Sequence, residues 1–524
     1  MIIAQLRAAL GAGGVLDDAA SLAFYANDVF WQPGIAPRMI ALPATAEQAA
    51  AAVRIATAAG IAVVPRGGGM SYSKGYLPAR AESLVIDARR LDRVIEINAA
   101  DRYVTVEAGC TWARLAEALD GSGLRTPYWG PLSGLNATIG GALSQNSAFF
   151  GSARHGTVAD SVLGVSVVLA DGSIAVTGAG GRAGTRPFTR EGGPDLTGLF
   201  LGDNGAFGLK LAATLRLIPT PAAIDFLSFG FPTIQAMAEA QVGLARARLV
   251  SEGFGIDRTK AEHSASVNRI SEGLQILGNV AAAGTSRLAG MRDALGIATG
   301  GTAFLRQHDF TLHLVIEADD APALQRALAA ARAIGAAAQG TEIANAVPRV
   351  MRARPFGPVR GMLGRDGERW VPIHAVFPLG EARRVLDAND AFFAARRAEM
   401  QRAGIVYSVM TMTTGQEFFL EPAFYWQDEI TELHARSLGD DVVRPWRHRP
   451  ANLPARQAVV ALRRATQELY AGLGGVSWQV ARDYPFRELL APGTRGLLDA
   501  VKQAVDPRGL MNPEALGLGR PPAD

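Results

Sequence analysis

Apolar and polar positions along the chain change period several times, and each change marks an element. The start, Met1-Ile-Ile-Ala-Gln-Leu-Arg, has the spacing of an amphipathic first helical turn and lacks the pattern of a signal peptide. Thr45 stands before an Ala-rich helical stretch, Glu47–Ala59, which leads into the buried run Ile61-Ala-Val-Val-Pro. Leu84-Val-Ile-Asp, Val94-Ile-Glu-Ile and Tyr103-Val-Thr-Val-Glu predict short strands, as do Val162–Leu169 and Gly208–Ile218. Ala170-Asp-Gly-Ser between two apolar runs predicts a hairpin turn.

Beyond 221 the texture shifts. Long helical patterns (Ile234–Val250, Ala321–Ile334, Glu381–Ala403, Ala455–Ala471) alternate with strands at Phe310–Ile316 and Ile405–Met410. That succession suits helices packed on an antiparallel sheet. The last stretch, Leu497–Gly517, predicts a short helix followed by Asp506-Pro-Arg-Gly-Leu-Met-Asn-Pro. The boundaries read as 1–220 (subdomains about 1–98 and 99–220), 221–470 and 471–524, with no internal repeat.

Composition narrows the function classes. A chain of 524 residues, 48% hydrophobic and 19% charged, is globular and too long for one core. The balance of 52 Lys and Arg against 49 Asp and Glu leaves a net charge of +3, without the basic runs that track nucleic acid. No apolar run approaches the roughly 20 residues of a membrane span. One cysteine, Cys110, permits no internal disulfide and reads as a small buried hydrophobe. The expected compartment is the cytoplasm.

Three glycine-rich segments carry the chemistry. In Val64-Pro-Arg-Gly-Gly-Gly-Met-Ser-Tyr-Ser, three glycines after a buried strand let the backbone turn its N–H groups inward, a nest that suits phosphate oxygens. The spacing fits neither the G-x-G-x-x-G fingerprint nor a P-loop. Gly130–Ser147 crowds small and hydrogen-bonding residues where a core would want bulk. Asp195–Leu209 is again polar and glycine-rich before a strand.

This order resembles the vanillyl-alcohol oxidase/p-cresol methylhydroxylase superfamily of flavoproteins. The matching pieces are Pro65–Ser71, Val106–Trp112, Thr138–Gly141, Ser161–Gly172, Asp195–Gly208 and Asp506–Pro513. The resemblance implies an α+β fold: a two-subdomain FAD-binding domain of the p-cresol methylhydroxylase type and an α+β cap with an antiparallel sheet over the isoalloxazine. It implies that Pro65, Arg66, Gly67, Gly68, Gly69, Met70 and Ser71 cradle the pyrophosphate. Pro131, Thr138, Ile139, Gly140, Gly141, Ser144, Asn146 and Ser147 would lie along the rest of FAD. Gly151, Gly156, Val162 and Asn512 would add contacts. Met70 stands where some members link FAD through a histidine, and a thioether cannot form that bond, so the FAD is expected to be non-covalent.

Candidate catalytic groups are fewer. His155 lies in the loop Ala-Arg-His-Gly-Thr, and His313 and His374 lie on strand-like cap segments. Tyr76 borders the first glycine loop, with Tyr72, Tyr128 and Trp129 near the others. His263 and His434 read as solvated. The Tyr-Arg pair with which phenol-oxidising members bind phenolate is replaced by Trp478-Gln479, leaving Gln479, with Arg482 and Tyr484 as shifted alternatives. The basic aromatic loop Arg444–Pro450 reads as solvated. No histidines are paired at metal-ligand spacing apart from His308 and His313, so no metal is expected.

The resulting expectation is an FAD-dependent oxidoreductase acting on an aromatic alcohol or para-substituted phenol. A 2-hydroxy-acid dehydrogenase is the alternative, with a non-catalytic FAD-binding or electron-relay subunit as a third reading. Expected partners are a small-molecule substrate, O2 or a protein electron acceptor, and a second copy in a homodimer.

Overall fold

The computed structural model describes residues 2–265 and 307–519; positions 266–306 of the expected cap lie outside the described residues. The chain divides into two compact units. One comprises Met1–Ala148, Thr157–Thr220 and Trp478–Asp524, the other Phe149–Gly156 and Pro221–Ser477.

The first unit holds two main sheets. Strands β1 (Val15–Leu16), β2 (Met39–Ala41), β3 (Ala62–Arg66) and β4 (Ser83–Asp87) lie in the order β1-β2-β4-β3, with β4 parallel to both β2 and β3. A parallel strand is covered on both faces, which is why β3 and β4 read as unbroken apolar runs. Helices Ile2–Leu10 and Ala46–Ala58 bury Leu6, Ala49, Val53 and Ala56 with Met39, Val63, Leu84 and Ile86. Each fully buried side chain of Leu or Val size contributes about 1.5–3 kcal/mol. Thr45 caps the second helix by accepting from the Gln48 N–H at 3.3 Å.

The second sheet is antiparallel. It joins β5 (Val94–Asn98), β6 (Tyr103–Glu107), β7 (Val162–Val168), β8 (Ile174–Val176) and β9 (Leu209–Arg216) in the order β5-β6-β9-β7-β8. The turn expected at Ala170-Asp-Gly-Ser joins β7 to β8. The C-terminal segment returns to the first sheet, where the Asn512 N–H donates to the Val63 carbonyl at 2.8 Å. A buried ammonium closes that return: Lys502 Nζ donates to Asp506 at 2.7 Å and to the carbonyls of Ala206 and Met511 at 2.6 and 2.9 Å.

The second unit is built on one antiparallel sheet. Its strands are β10 (Ala223–Phe231), β11 (Glu252–Asp257), β12 (Phe310–Ala318), β13 (Thr341–Glu342), β14 (Arg369–Pro372), β15 (Ala375–Pro378), β16 (Val406–Thr414) and β17 (Glu417–Trp426). Their order is β13-β10-β12-β11-β16-β17-β14, with β15 also on β17. Alternation decides the faces. Phe229, Leu314, Val409, Leu420 and Phe377 meet helices Ile234–Arg246, Ala321–Ala337 and Ala382–Arg402 in the main core. The opposite face presents Phe254, His313, Met410, Met412, Phe419, Glu421 and Tyr425, all tied together by strand register. Fold class and architecture follow the expectation, while β10, β11 and β17 are strands that the sequence patterns did not single out.

Candidate flavin and substrate sites

In the first unit β3 delivers Arg66 and then the glycine loop. A Cβ on Gly68 would overlap the Asn136 carbonyl, so only glycine permits this close approach of two loops. Gly69 has φ +71°, a backbone conformation that side chains disfavour. Tyr76 holds the loop from outside, its hydroxyl donating to the carbonyls of Gly69 at 2.8 Å and Ser71 at 3.0 Å. Burial keeps that phenol well above its ordinary pKa.

Arg66 is 4% exposed, and its guanidinium lies over the rings of Phe24, Tyr25 and Tyr76 at 5.2, 4.6 and 4.6 Å. Its Nε and Nη1 are buried without a hydrogen bond to the described residues. Two such donors in an apolar cage cost several kcal/mol unless a ligand accepts them.

The second loop meets the first. Thr138 Oγ1 accepts from the Gly141 N–H at 3.2 Å, and the Ile139 and Gly140 N–H groups donate to the carbonyls of Cys110 and Ala108. Ser144 donates back to the Gly140 carbonyl at 2.8 Å. Asn146 adopts the left-handed conformation, and its buried Oδ1 has no hydrogen bond among the described residues. The orphaned polar atoms of Arg66 and Asn146, beside a loop shaped by glycine, fit a nucleotide cofactor with phosphates and a polar ring.

Other expected residues have different surroundings. Asn512 spends its amide inside the protein: Nδ2 donates to Gly75 at 2.9 Å and to Asn204 at 2.5 Å, while Oδ1 accepts from Arg482. Arg482 also donates to the carbonyls of Pro513, Lys74 and Leu77. It therefore ties the C-terminal segment to the loop at 74–77 and has little left for a phenolate. Gln479, at φ +51°, donates its N–H to the Gln145 carbonyl at 3.0 Å. Gly151 and Gly156 bracket the short helix Ser152–His155, which belongs to the second unit. Cys110 is buried, and burial pushes its thiol up to about 12, consistent with a packing role.

The histidines of the second unit sort by their partners. His313 is buried, with Nδ1 2.9 Å from Ser228 Oγ and Nε2 3.1 Å from Thr311 Oγ1. Burial drives its pKa down to about 3, so it is a neutral imidazole engaged at both nitrogens. His374 is buried and stacked on Phe419 at 5.2 Å. His434, expected in solvent, is instead buried against Thr431, and burial holds it well below the ordinary range. The basic loop at 444–450 spends its charge locally. Arg447 pairs with Glu432 and Asp440, and Arg449 donates to the carbonyls of Gly367 and Asp366.

The face opposite the helices holds a second polar group that the sequence patterns did not mark. Helix Arg258–Ala265 begins where the Asp257 carboxylate accepts from the Lys260 N–H at 2.8 Å and the Val409 N–H at 3.1 Å. This anchor sets Lys260 Nζ 4.9 Å from the Trp370 ring centroid and 5.8 Å from that of Tyr425. His263, one turn on, stacks on Tyr425 at 4.4 Å, its Nδ1 donating to the Thr259 carbonyl at 2.8 Å. Glu421, 8% exposed, shares the face. Burial pushes its carboxyl up to about 7 against the pull of Lys260 and Arg463. The available signal was a lone acid inside the run Phe-Phe-Leu-Glu-Pro-Ala-Phe-Tyr-Trp, a chemically odd place for a charge. Among the described residues no group of three His, Cys, Asp or Glu is arranged to hold a metal ion. No described helix is long and apolar enough to cross a membrane.

Comparison with known proteins agrees with the cradle. Residues 37–178 match the FAD binding domain family. The chain is 30% identical over 254 residues to a D-2-hydroxyglutarate dehydrogenase of Xanthomonas citri pv. viticola, covering 48% of this chain and 52% of that one. It is 30% identical over 223 residues to a D-lactate dehydrogenase of Archaeoglobus fulgidus, covering 41% and 48%. The chain thus spans about half the length of the curated relatives it matches. The solved structure of p-cresol methylhydroxylase with substrate bound superposes with a TM-score of 0.74 at 16% identity, over 98% of this chain and 96% of that one, a likeness of fold. Residues 37–178 thus belong to an FAD binding domain, and the chain has the fold of p-cresol methylhydroxylase.

Proposed function

We propose that the chain is an FAD-dependent oxidoreductase that takes two electrons from a small 2-hydroxy acid. The observation that carries this is the FAD-binding half, whose relatives are named for D-lactate and D-2-hydroxyglutarate. When bound, FAD supplies the two-electron acceptor. The chain's own part would be to hold it: the loop 67–69 would lie against it, Arg66 Nε and Nη1 would donate to its anionic portion, and Asn146 Oδ1 would accept from it. With Met70 in the loop, the FAD is dissociable, and O2 or a protein carrier takes its electrons. The hydroxy acid displaces the aromatic alcohol or para-substituted phenol as first reading, because Arg482 is engaged by backbone carbonyls and Asn512. Of the expected catalytic set, His155, His374 and Gln479 remain candidates, whereas His313 and Tyr76 hold internal hydrogen bonds.

The test is anaerobic. D-lactate or D-2-hydroxyglutarate should bleach the flavin absorption of the purified protein, and 4-hydroxybenzyl alcohol should not. Bleaching by the aromatic alcohol alone would reverse the reading, and a protein that takes up no FAD would end it. Acid precipitation of the same sample should release the yellow colour into the supernatant.

A further inference from the structure

The face of the second unit's sheet that packs against helix Arg258–Ala265 holds two buried ionisable groups, Lys260 and Glu421. Lys260 forms no ion pair with the described residues; its ammonium hydrogen-bonds to the Tyr425 side chain and rests against the rings of Trp370 and Tyr425. Burial works against its charge, but Tyr425 and Glu421 outweigh burial and hold its pKa above the ordinary value. Glu421 feels Lys260 and Arg463 electrostatically and is hydrogen-bonded to none of the described residues.

Register shows what lies between them. Glu421 and Tyr425 are four residues apart on one face of β17, about 13 Å along the strand. The residue between them on that face is Ala423, directly opposite Ser408 of β16. Both are small and buried, and Ser408 Oγ, at 0% exposure, has no hydrogen-bond partner among the described residues. Two small side chains, Ala423 and Ser408 with its orphaned hydroxyl, therefore stand between a carboxyl at one end and an ammonium and a phenol at the other. Phe419 and Met410 flank it on the same face. Orphaned buried polar groups are costly, and a ligand that pairs them recovers the cost.

We propose that Lys260, Tyr425, Ser408 and Glu421 form a recognition site for a small 2-hydroxy carboxylate. Lys260 Nζ and Tyr425 Oη donate to the carboxylate, and Glu421 and Ser408 pair with the 2-hydroxyl. The site selects on two features at once. An ammonium in apolar surroundings favours an anion, because a desolvated carboxylate needs compensating charge. An acceptor a fixed distance away rejects acids without the hydroxyl, since Glu421 would then stay unpaired. The proposal rests on the hydroxy-acid reading above and names the residues that carry it.

Calorimetric titration of the FAD-loaded full chain tests it, with D-lactate as probe and propionate as the analogue lacking the hydroxyl. Lys260→Met should weaken both ligands about 10- to 100-fold, and Lys260→Arg should recover most of the loss. Glu421→Gln should weaken D-lactate several-fold and leave propionate unchanged. Flavin content and melting temperature, measured on each variant, separate loss of binding from loss of fold. D-lactate affinity unchanged in both Lys260→Met and Glu421→Gln would overturn the site; if D-lactate still bleached the flavin, the hydroxy-acid reading would survive. Binding that follows the expected pattern without any bleaching would uphold the site and overturn the oxidation. Failure of the wild type to bind either carboxylate would overturn the site as well.

Discussion

In the first unit the chemistry is carried by backbone and by residues that fix backbone; in the second it is carried by side-chain ends that the fold leaves unspent. The glycine loop is shaped by close approach at Gly68 and pinned by Tyr76, and Arg482 and Asn512 are consumed in tying segments together. Across the second sheet, Glu421 and Ser408 have no hydrogen bond with the described residues, and Lys260 has the Tyr425 side chain as its hydrogen-bond partner. A site made of backbone tolerates few substitutions yet leaves the choice of substrate open. A site made of charged ends on a rigid sheet sets that choice, and single substitutions can change it.

Four substitutions would break or sharpen this contrast. The largest effect is expected at Gly68→Ala, whose methyl overlaps the Asn136 carbonyl. Overpacking of this kind costs about 1–3 kcal/mol. The purified variant should lose most of its flavin absorbance per subunit while its far-UV spectrum stays native.

Next is Glu421→Gln, read as stability against pH. Burial raises the folded carboxyl to about 7, above the roughly 4.3 of an unfolded glutamate. A raised folded pKa means that this stabilising contribution is fully present below the unfolded value and is lost as pH rises through the folded one. The wild type should therefore lose more stability between about pH 4 and pH 8 than the variant, in which the raised carboxyls of Asp28 and Asp257 remain. Their difference should grow by up to roughly 3 kcal/mol over that window, as read by chemical denaturation. A constant difference would show Glu421 to be solvated.

A smaller change is expected from Tyr76→Phe. It removes the hydroxyl that donates to the Gly69 and Ser71 carbonyls and costs about 1 kcal/mol. FAD affinity should fall a few-fold by equilibrium dialysis.

The smallest is Arg447→Gln in the basic loop, whose partners Asp440 and Glu432 are exposed. Such pairs contribute less than about 1 kcal/mol. Propionate affinity should stay at the wild-type value, which separates this loop from Lys260.

How much was legible follows the same division. The first glycine loop, the Thr138–Gly141 segment and the C-terminal return could be read because their chemistry depends on residues adjacent in sequence. The long helices and buried parallel strands were legible through period and composition. The Glu421 group was not legible, since Lys260 and Glu421 stand far apart in the chain and meet only through β11–β16 and β16–β17 pairing. His434 was misread for a related reason: a polar helical neighbourhood in sequence turned out to be buried in space.

The sequence by itself pointed to an FAD-binding domain and determined the close glycine-rich loops and the helices packed on an antiparallel sheet, because close backbone approach and hydrophobic period are local properties. Only the tertiary structure decided which charges are spent and which remain. Arg482 is exhausted by carbonyls from the 74–77 loop and the C-terminal segment, whereas Lys260 has one hydrogen-bonding side chain, Tyr425, among the described residues. Charge is written in the sequence, but its availability depends on what folding brings beside it and how much water folding removes.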